Sequence, residues 1–118
     1  MTSERAGVLV RIDGAMHFIA AAEAIAIEQT PRIENVPGAP SEIAGITAYR
    51  GEIIPVIALA KTPTRAMIIV RHASEHIGLI GAEIVKTGIF PEEDAPALDV
   101  PALHARLQGA AWAGRWGA

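Results

Sequence analysis

Residues 43–59 read IAGITAYRGEIIPVIAL, and the rest of the chain is organised around this stretch. Two apolar runs, Ile43–Tyr49 and Ile53–Leu59, flank the charged corner Arg50-Gly51-Glu52. Gly51 has no Cβ and takes φ > 0 without a clash, so the corner predicts a tight hairpin turn. The flanking residues are β-branched and bulky, which suits a pleated surface better than a helix. From Ile53 to Leu59 both parities are apolar. That pattern predicts a strand buried on both faces, with one arginine at the hairpin tip.

On the N-terminal side, Val8, Val10 and Ile12 share one parity and Leu9 and Arg11 the other, which predicts a strand. Asp13-Gly14 is a hairpin signal, and Met16–Ile19 forms the return strand. In Ala20–Gln29 a helical turn near Ala21–Glu23 precedes a strand from about Ala24 to Glu28. Val36-Pro37-Gly38-Ala39-Pro40 is a rigid connector, because its prolines fix φ.

On the C-terminal side, Ala66–Val70 is apolar on both parities and predicts another buried strand. His72–Glu75 reads as a hairpin tip. His76–Val85 reads as one return strand, with Gly78 and Gly81 marking bulges or close backbone approach. Phe90–Pro96 is a polar loop and Ala97–Val100 a short last strand. Pro101 opens a helix that sets Leu103 and Leu107 four apart on one face. The expected domain runs from 7 to 108, between flexible termini 1–6 and 109–118, with Trp112 and Trp116 in the tail. Many short strands separated by Gly and Pro turns predict a mainly β protein of barrel architecture.

Composition narrows the function. A chain of 118 residues buries roughly two-thirds of its unfolded surface, enough for a core. Apolar residues make up 51% and aromatics 4%, so the core is aliphatic. The net charge of −3 leaves no electrostatic footprint for nucleic acid, and only Phe18, Tyr49 and Phe90 lie outside the tail as aromatic platforms for single strands, with scattered basic residues. There is no cysteine, which removes disulfides, thiolate catalysis and thiolate metal sites. No apolar run is long enough for membrane insertion, and MTSERAG has no apolar secretory core. A soluble, cytoplasmic protein is expected.

No nucleophile elbow, Walker A loop or dinucleotide fingerprint occurs, so no catalytic residue, cofactor or enzymatic activity is expected. Glu92-Glu93-Asp94 reads as a solvated charge run. His72 and His76 have H-x₃-H spacing but bracket a strand turn without a third ligand, so no metal site is expected. His17 and His104 are single. What remains is a surface for protein partners. Arg50 is the leading anchor, since a guanidinium at a corner can fork to a carboxylate or to carbonyls. The plainer reading, a solvated turn residue beside Glu52, stands next to it.

The segment VPGAPSEIAGITAYRGEIIPVIAL closely resembles the central signature of CheW-like domains. That signature has V-P-x-x-P-x-x-I-x-G, then an N-hydrophobic-R-G corner, then P-V-hydrophobic-D-L. VLVRIDGAMHFIAAAEAIAIEQ is similar to the family's first hairpin and the segment after it. Ala66–Val85 is similar to its paired strands, and Val100–Leu107 to its closing helix. The resemblance implies two small SH3-like barrels and a coupling role without catalysis. Family members bridge the cytoplasmic tips of chemoreceptors to a CheA-type histidine kinase. By this resemblance Arg50 faces the receptor together with Tyr49, Gly51 and Glu52, and Glu28 falls in the kinase-contacting segment.

Three departures qualify the match. Ala48 stands where the family has Asn, and Ala58 where it has Asp. Only Lys86–Val100 spans a region that normally holds several further strands. The second barrel is therefore expected to be truncated, with an open edge that is short, capped or paired in an oligomer. The chain resembles the shortened CheW-like paralogues of gliding-bacterial chemosensory systems. The implied function is a receptor-binding adaptor, recruited to receptor arrays, with weakened or lost kinase docking, and possible pairing with another CheW-like protein. A full receptor–kinase coupler, or a barrel module recruited to an unrelated partner, are the alternatives.

Overall fold

A computed structural model describes residues 3–109. Eight strands run in order: β1 Glu4–Ile12, β2 Ala15–Ala20, β3 Ala24–Gln29, β4 Ile43–Tyr49, β5 Glu52–Ala58, β6 Ala66–His72, β7 Glu75–Ile80 and β8 Glu83–Pro91. A 3₁₀ turn, Glu92–Asp94, and one helix, α1 Val100–Gly109, follow. The chain is mainly β, as its strand and turn pattern predicts. The tail tryptophans lie outside the described residues.

The strands form two sheets, one of five strands in order β3-β6-β7-β5-β4 and one of three in order β2-β1-β8. The larger sheet curls into a barrel. After β3 the chain passes along β4, where Glu34 and Ile46 exchange both backbone hydrogen bonds at 2.9 Å. The Thr47 hydroxyl donates to the Arg32 carbonyl beside them. Gly45 makes this approach possible, because a Cβ there would sit 2.0 Å from the Glu34 carbonyl oxygen.

Double-sided burial of the central hairpin has a simple cause. Ile54 and Val56 point into the barrel, against Tyr49, Met67 and Ile69. Ile43 and Ile57 point the other way, into a seam with Val8, Val10, Ile12 and Ile19 of the smaller sheet. Strand β6 splits in the same fashion, with Met67 and Ile69 inside the barrel and Ile68 and Val70 in the seam. Each such aliphatic side chain contributes about 1.5–3 kcal/mol when fully buried. Val100, Leu103 and Leu107 seat α1 on the seam, so the four-residue spacing reads correctly as a helix face. The Asp99 carboxylate caps its start, accepting from the Ala102 amide at 3.0 Å.

The smaller sheet is a shortened barrel with three strands. Its face away from the seam is a small core of Phe18, Phe90 and Ala95. The Arg5 guanidinium lies 4.0 Å from the Phe18 ring centroid and donates to the carbonyls of Glu92 and Ala95. The turn and segment after β8 are thus tied down over this small core. They also cover one sheet edge, since the Phe18 amide donates to the Pro96 carbonyl and the Leu98 amide to the Phe18 carbonyl.

Several local expectations are corrected. His76–Val85 is not one strand: the chain breaks at Gly81 (φ +86) and crosses from the barrel to the smaller sheet, where β8 pairs with β1. Ala97–Val100 is not a strand but a single parallel bridge, Phe18↔Ala97, because Asp99 already caps α1 and Val100 begins it. Glu4–Ala6, assigned by sequence to a flexible terminus, belong to β1 and pair with residues of β8.

Candidate functional site: the Tyr49–Glu52 corner

Strands β4 and β5 are antiparallel, and Tyr49↔Glu52 is their closing pair. The two residues between them are both left-handed, Arg50 at φ +49 and Gly51 at φ +80. This is the turn that best matches strand twist, and its first position favours Asn, Asp or Gly. The Asp13-Gly14 hairpin has the same φ pair, +49 and +80, with the favoured residues. At the central hairpin an arginine occupies the strained position. A third turn, Ala73-Ser74, also holds two non-glycine residues at positive φ, so the fold tolerates this strain elsewhere. Strain at an exposed charged residue is a reason to look for a partner.

The corner has a firm base. Tyr49 is buried, its ring meets His76 edge-on at 5.8 Å, and the Arg50 guanidinium carbon lies 5.5 Å from the ring centroid. His76 Nδ1 lies 3.4 Å from Glu52 Oε2. Glu52 is thereby directed to His76 and not to Arg50. Among the described residues no carboxylate forms a salt bridge with Arg50, which is exposed. Beside it Ala48 and Ile53 are cross-strand partners, both exposed, with Ile53 at 53%. The corner thus offers an uncommitted planar cation next to an apolar pair. Such a combination can fork to a carboxylate or to helix-terminal carbonyls while excluding water around it.

Sequence reasoning placed Arg50, Tyr49, Gly51 and Glu52 together, and the structure keeps them together. It kept Glu28 apart. In the structure Glu28, on the exposed end of β3, lines the same groove as Gln29, Pro31, Ala48, Tyr49 and Met67, a space of about 280 Å³. Two residues escaped the sequence reading. Ile53 was hidden because both parities of β5 are apolar, and His76 because only the β5–β7 pairing brings it to Glu52. Val56↔Gly78 is the first pair of that parallel ladder.

The histidines do not converge. His72 stacks edge-on with His104 at 4.8 Å, while His104 Nε2 lies 2.7 Å from Glu75 Oε1. His76 turns to the other side of the hairpin, toward Glu52. Among the described residues no group of three or more His, Cys, Asp or Glu is placed to hold a metal ion. Glu92, Glu93 and Asp94 are all exposed on their turn. Among the described residues no helix is long and apolar enough to cross a membrane.

Comparison with known proteins agrees with this architecture. In fold, the chain is similar to the scaffolding protein TtCheW from Thermoanaerobacter tengcongensis, with a TM-score of 0.64 and 23% identity. The match covers 77% of this chain but 62% of that one, so the chain spans less than two-thirds of its structural relative. No curated protein matches in sequence. The profile of the CheW-like domain covers residues 6–113. The chain belongs to the CheW-like domain family.

Proposed function

We propose that this protein is a non-enzymatic chemosensory adaptor that binds the cytoplasmic tip of a chemoreceptor through the Tyr49–Glu52 corner. One observation carries the reading: Arg50 is held in a strained left-handed turn, on a buried tyrosine, with no carboxylate partner among the described residues. Ile53 and Ala48 supply the apolar contact beside it. Arg50 is the anchor, Tyr49 its platform, Gly51 the residue that permits the turn, and Glu52 the restraint on His76. The adaptor works in the cytoplasm, recruited to receptor arrays.

Kinase docking is weakened or lost in this proposal. The support is the shortened second unit, three strands against the barrel's five, in a chain matching 62% of a scaffolding relative. One observation favours the alternative, a full coupler of receptor to CheA-type kinase. Glu28, the candidate kinase contact, stands on the complete barrel and shares a groove with Tyr49.

Two binding measurements separate these readings. The full chain is titrated against a receptor-tip fragment and, separately, against the regulatory domain of a CheA-type kinase. Tight binding to the first and weak binding to the second is the expected result. Equal, tight binding to both establishes the full coupler instead. Arg50→Glu is expected to weaken receptor binding by at least roughly thirtyfold, the effect of losing a hot-spot arginine. Its melting temperature stays that of the parent chain. Unchanged receptor affinity removes Arg50 from the site.

A further inference from the structure

Among the described residues, one edge of strand β8 has no pairing partner. In the order β2-β1-β8 the outer strands are β2 and β8. Residues 96–98 cover β2 at Phe18, but among the described residues nothing pairs with the outer side of β8. Five consecutive residues, Val85 to Ile89, are exposed there. Five large hydrophobic residues are exposed among the described residues, and four of them lie on β8 and β3: Val85, Ile89, Ile25 and Ile27. These strands border a groove of about 370 Å³ lined by Ile25, Ile27, Val8, Thr87 and Gly88 among others, none of them charged. Clustered apolar exposure of this kind marks an interaction surface.

We propose that the edge is covered by the same edge of a second copy, the two β8 strands pairing antiparallel about a two-fold axis through Thr87. Such an axis, perpendicular to the sheet, must pass through a residue position, because opposed residues share a face. Thr87 is the midpoint of Glu83–Pro91. Centring there sets Val85 opposite Ile89 of the second copy, Thr87 opposite Thr87, and Lys86 opposite Gly88. Apolar β-branched pairs and a Thr–Thr pair are favourable, and no like charges meet. Centring on Lys86 would oppose two ammonium groups. Centring on Gly88 would set Val85 against Pro91, and centring on Val85 would set Ile84 against Lys86.

The edge carries devices that discourage indiscriminate pairing: Lys86, Pro91 and a bulge. At the bulge the β1 partner steps from Leu9↔Lys86 to Val10↔Ile84 and leaves Val85 over. In the Thr87 register these devices select rather than forbid. The Lys86 stem passes over a glycine, and the paired stretch ends at the bulge residue Val85, opposite Ile89 of the second copy. No residue of the Tyr49–Glu52 corner lines the groove beside this edge. If Arg50 is the receptor contact, one dimer carries two such corners and binds clustered receptors with avidity.

The natural absence of cysteine makes the test clean. Opposed residues of an antiparallel pair have Cα atoms about 4.5–5.5 Å apart, within disulfide range. Thr87→Cys is therefore expected to cross-link to a covalent dimer under mild oxidation, at least roughly tenfold faster than Lys61→Cys in an exposed loop. Sedimentation of the unmodified chain should give twice the 12.4 kDa chain mass. Ile89→Lys should return it to the monomer with an unchanged melting temperature. A monomeric parent chain overturns the proposal, whether the edge is then covered by residues 110–118 or by a different protein. A dimer in which positions 87 and 61 cross-link equally overturns it as well.

Discussion

Replacing Arg5 by alanine tests what holds the three-stranded unit closed over its small core. Arg5 bridges β1 to the segment after β8, donating at 2.8 Å to the exposed Glu92 carbonyl and also to the part-buried Ala95 carbonyl. Its guanidinium covers the Phe18 ring at 4.0 Å. A hydrogen bond to a charged group contributes about 1.5–3 kcal/mol, and the solvent-exposed one here far less. The ring contact contributes about 1 kcal/mol. Against these stands Arg5 Nε, buried without a partner. Removing it recovers about 1 kcal/mol of desolvation. The balance is a loss of about 2–3 kcal/mol, which lowers the melting temperature by about 10 °C at the scale appropriate to this chain length.

The assay is a thermal melt followed by circular dichroism, paired with amide exchange. Phe18 and Leu98 report the closure directly, because their amides bond the Pro96 and Phe18 carbonyls. Arg5→Met separates bridging from space-filling: it keeps a long apolar stem and removes the unpaired Nε, but leaves the Ala95 carbonyl without its donor. Its expected loss is about 1 kcal/mol. Faster exchange at Phe18 and Leu98 in both variants is expected. If Arg5→Met matches the parent chain in melting and exchange, the guanidinium does not hold the closure and Arg5 is filler. If Arg5→Ala shifts the melt by less than about 2 °C, the ledger itself is refuted.

Three further outcomes follow from the geometry. Gly45→Ala places a Cβ 2.0 Å from the Glu34 carbonyl oxygen at φ +144; it should cost about 3 kcal/mol or more by denaturant titration and open the Glu34–Ile46 bridge to exchange. Ile54→Ala, at a fully buried barrel position, should cost about 2–5 kcal/mol by the same titration, with a value under 1 kcal/mol contradicting the packed interior. Asp99→Ala removes the cap of α1 and should cost about 1 kcal/mol, a loss that Asp99→Ser largely restores.

How much of this was legible in the chain depends on the range of the interaction. Local chemistry was plain. Asp13-Gly14 and Arg50-Gly51 announce their turns because only certain residues take left-handed φ cheaply, and Leu103 and Leu107 mark a helix face by spacing alone. The apolar faces of Ile54, Val56 and Ile57 were also legible, since doubly buried strands lose alternation. Close backbone approach at Gly81 was legible, since a Cβ there would meet the Ala60 amide nitrogen at 2.6 Å, but His76–Val85 was misread as one strand because a glycine that bulges a strand and one that ends it look alike in one dimension. Ala97–Val100 was misread because its last two residues serve the helix, Asp99 as the cap and Val100 as the first residue of α1.

For the candidate site the division is similar. The composition of the 43–59 stretch decided that an arginine would stand at a hairpin tip beside a tyrosine. Its family resemblance pointed to that corner as a contact. Only the tertiary structure decided that Glu52 answers to His76 and not to Arg50, that Ile53 faces outward, and that Glu28 shares a groove with Tyr49. The same holds for the shortened unit. The family resemblance implied a shortened unit, but its closure by Arg5 and residues 92–98, and a β8 edge that no described residue pairs, depend on contacts between residues some 70 to 90 positions apart. Such contacts are set by which surfaces remain after the strands pair, and no local pattern encodes them.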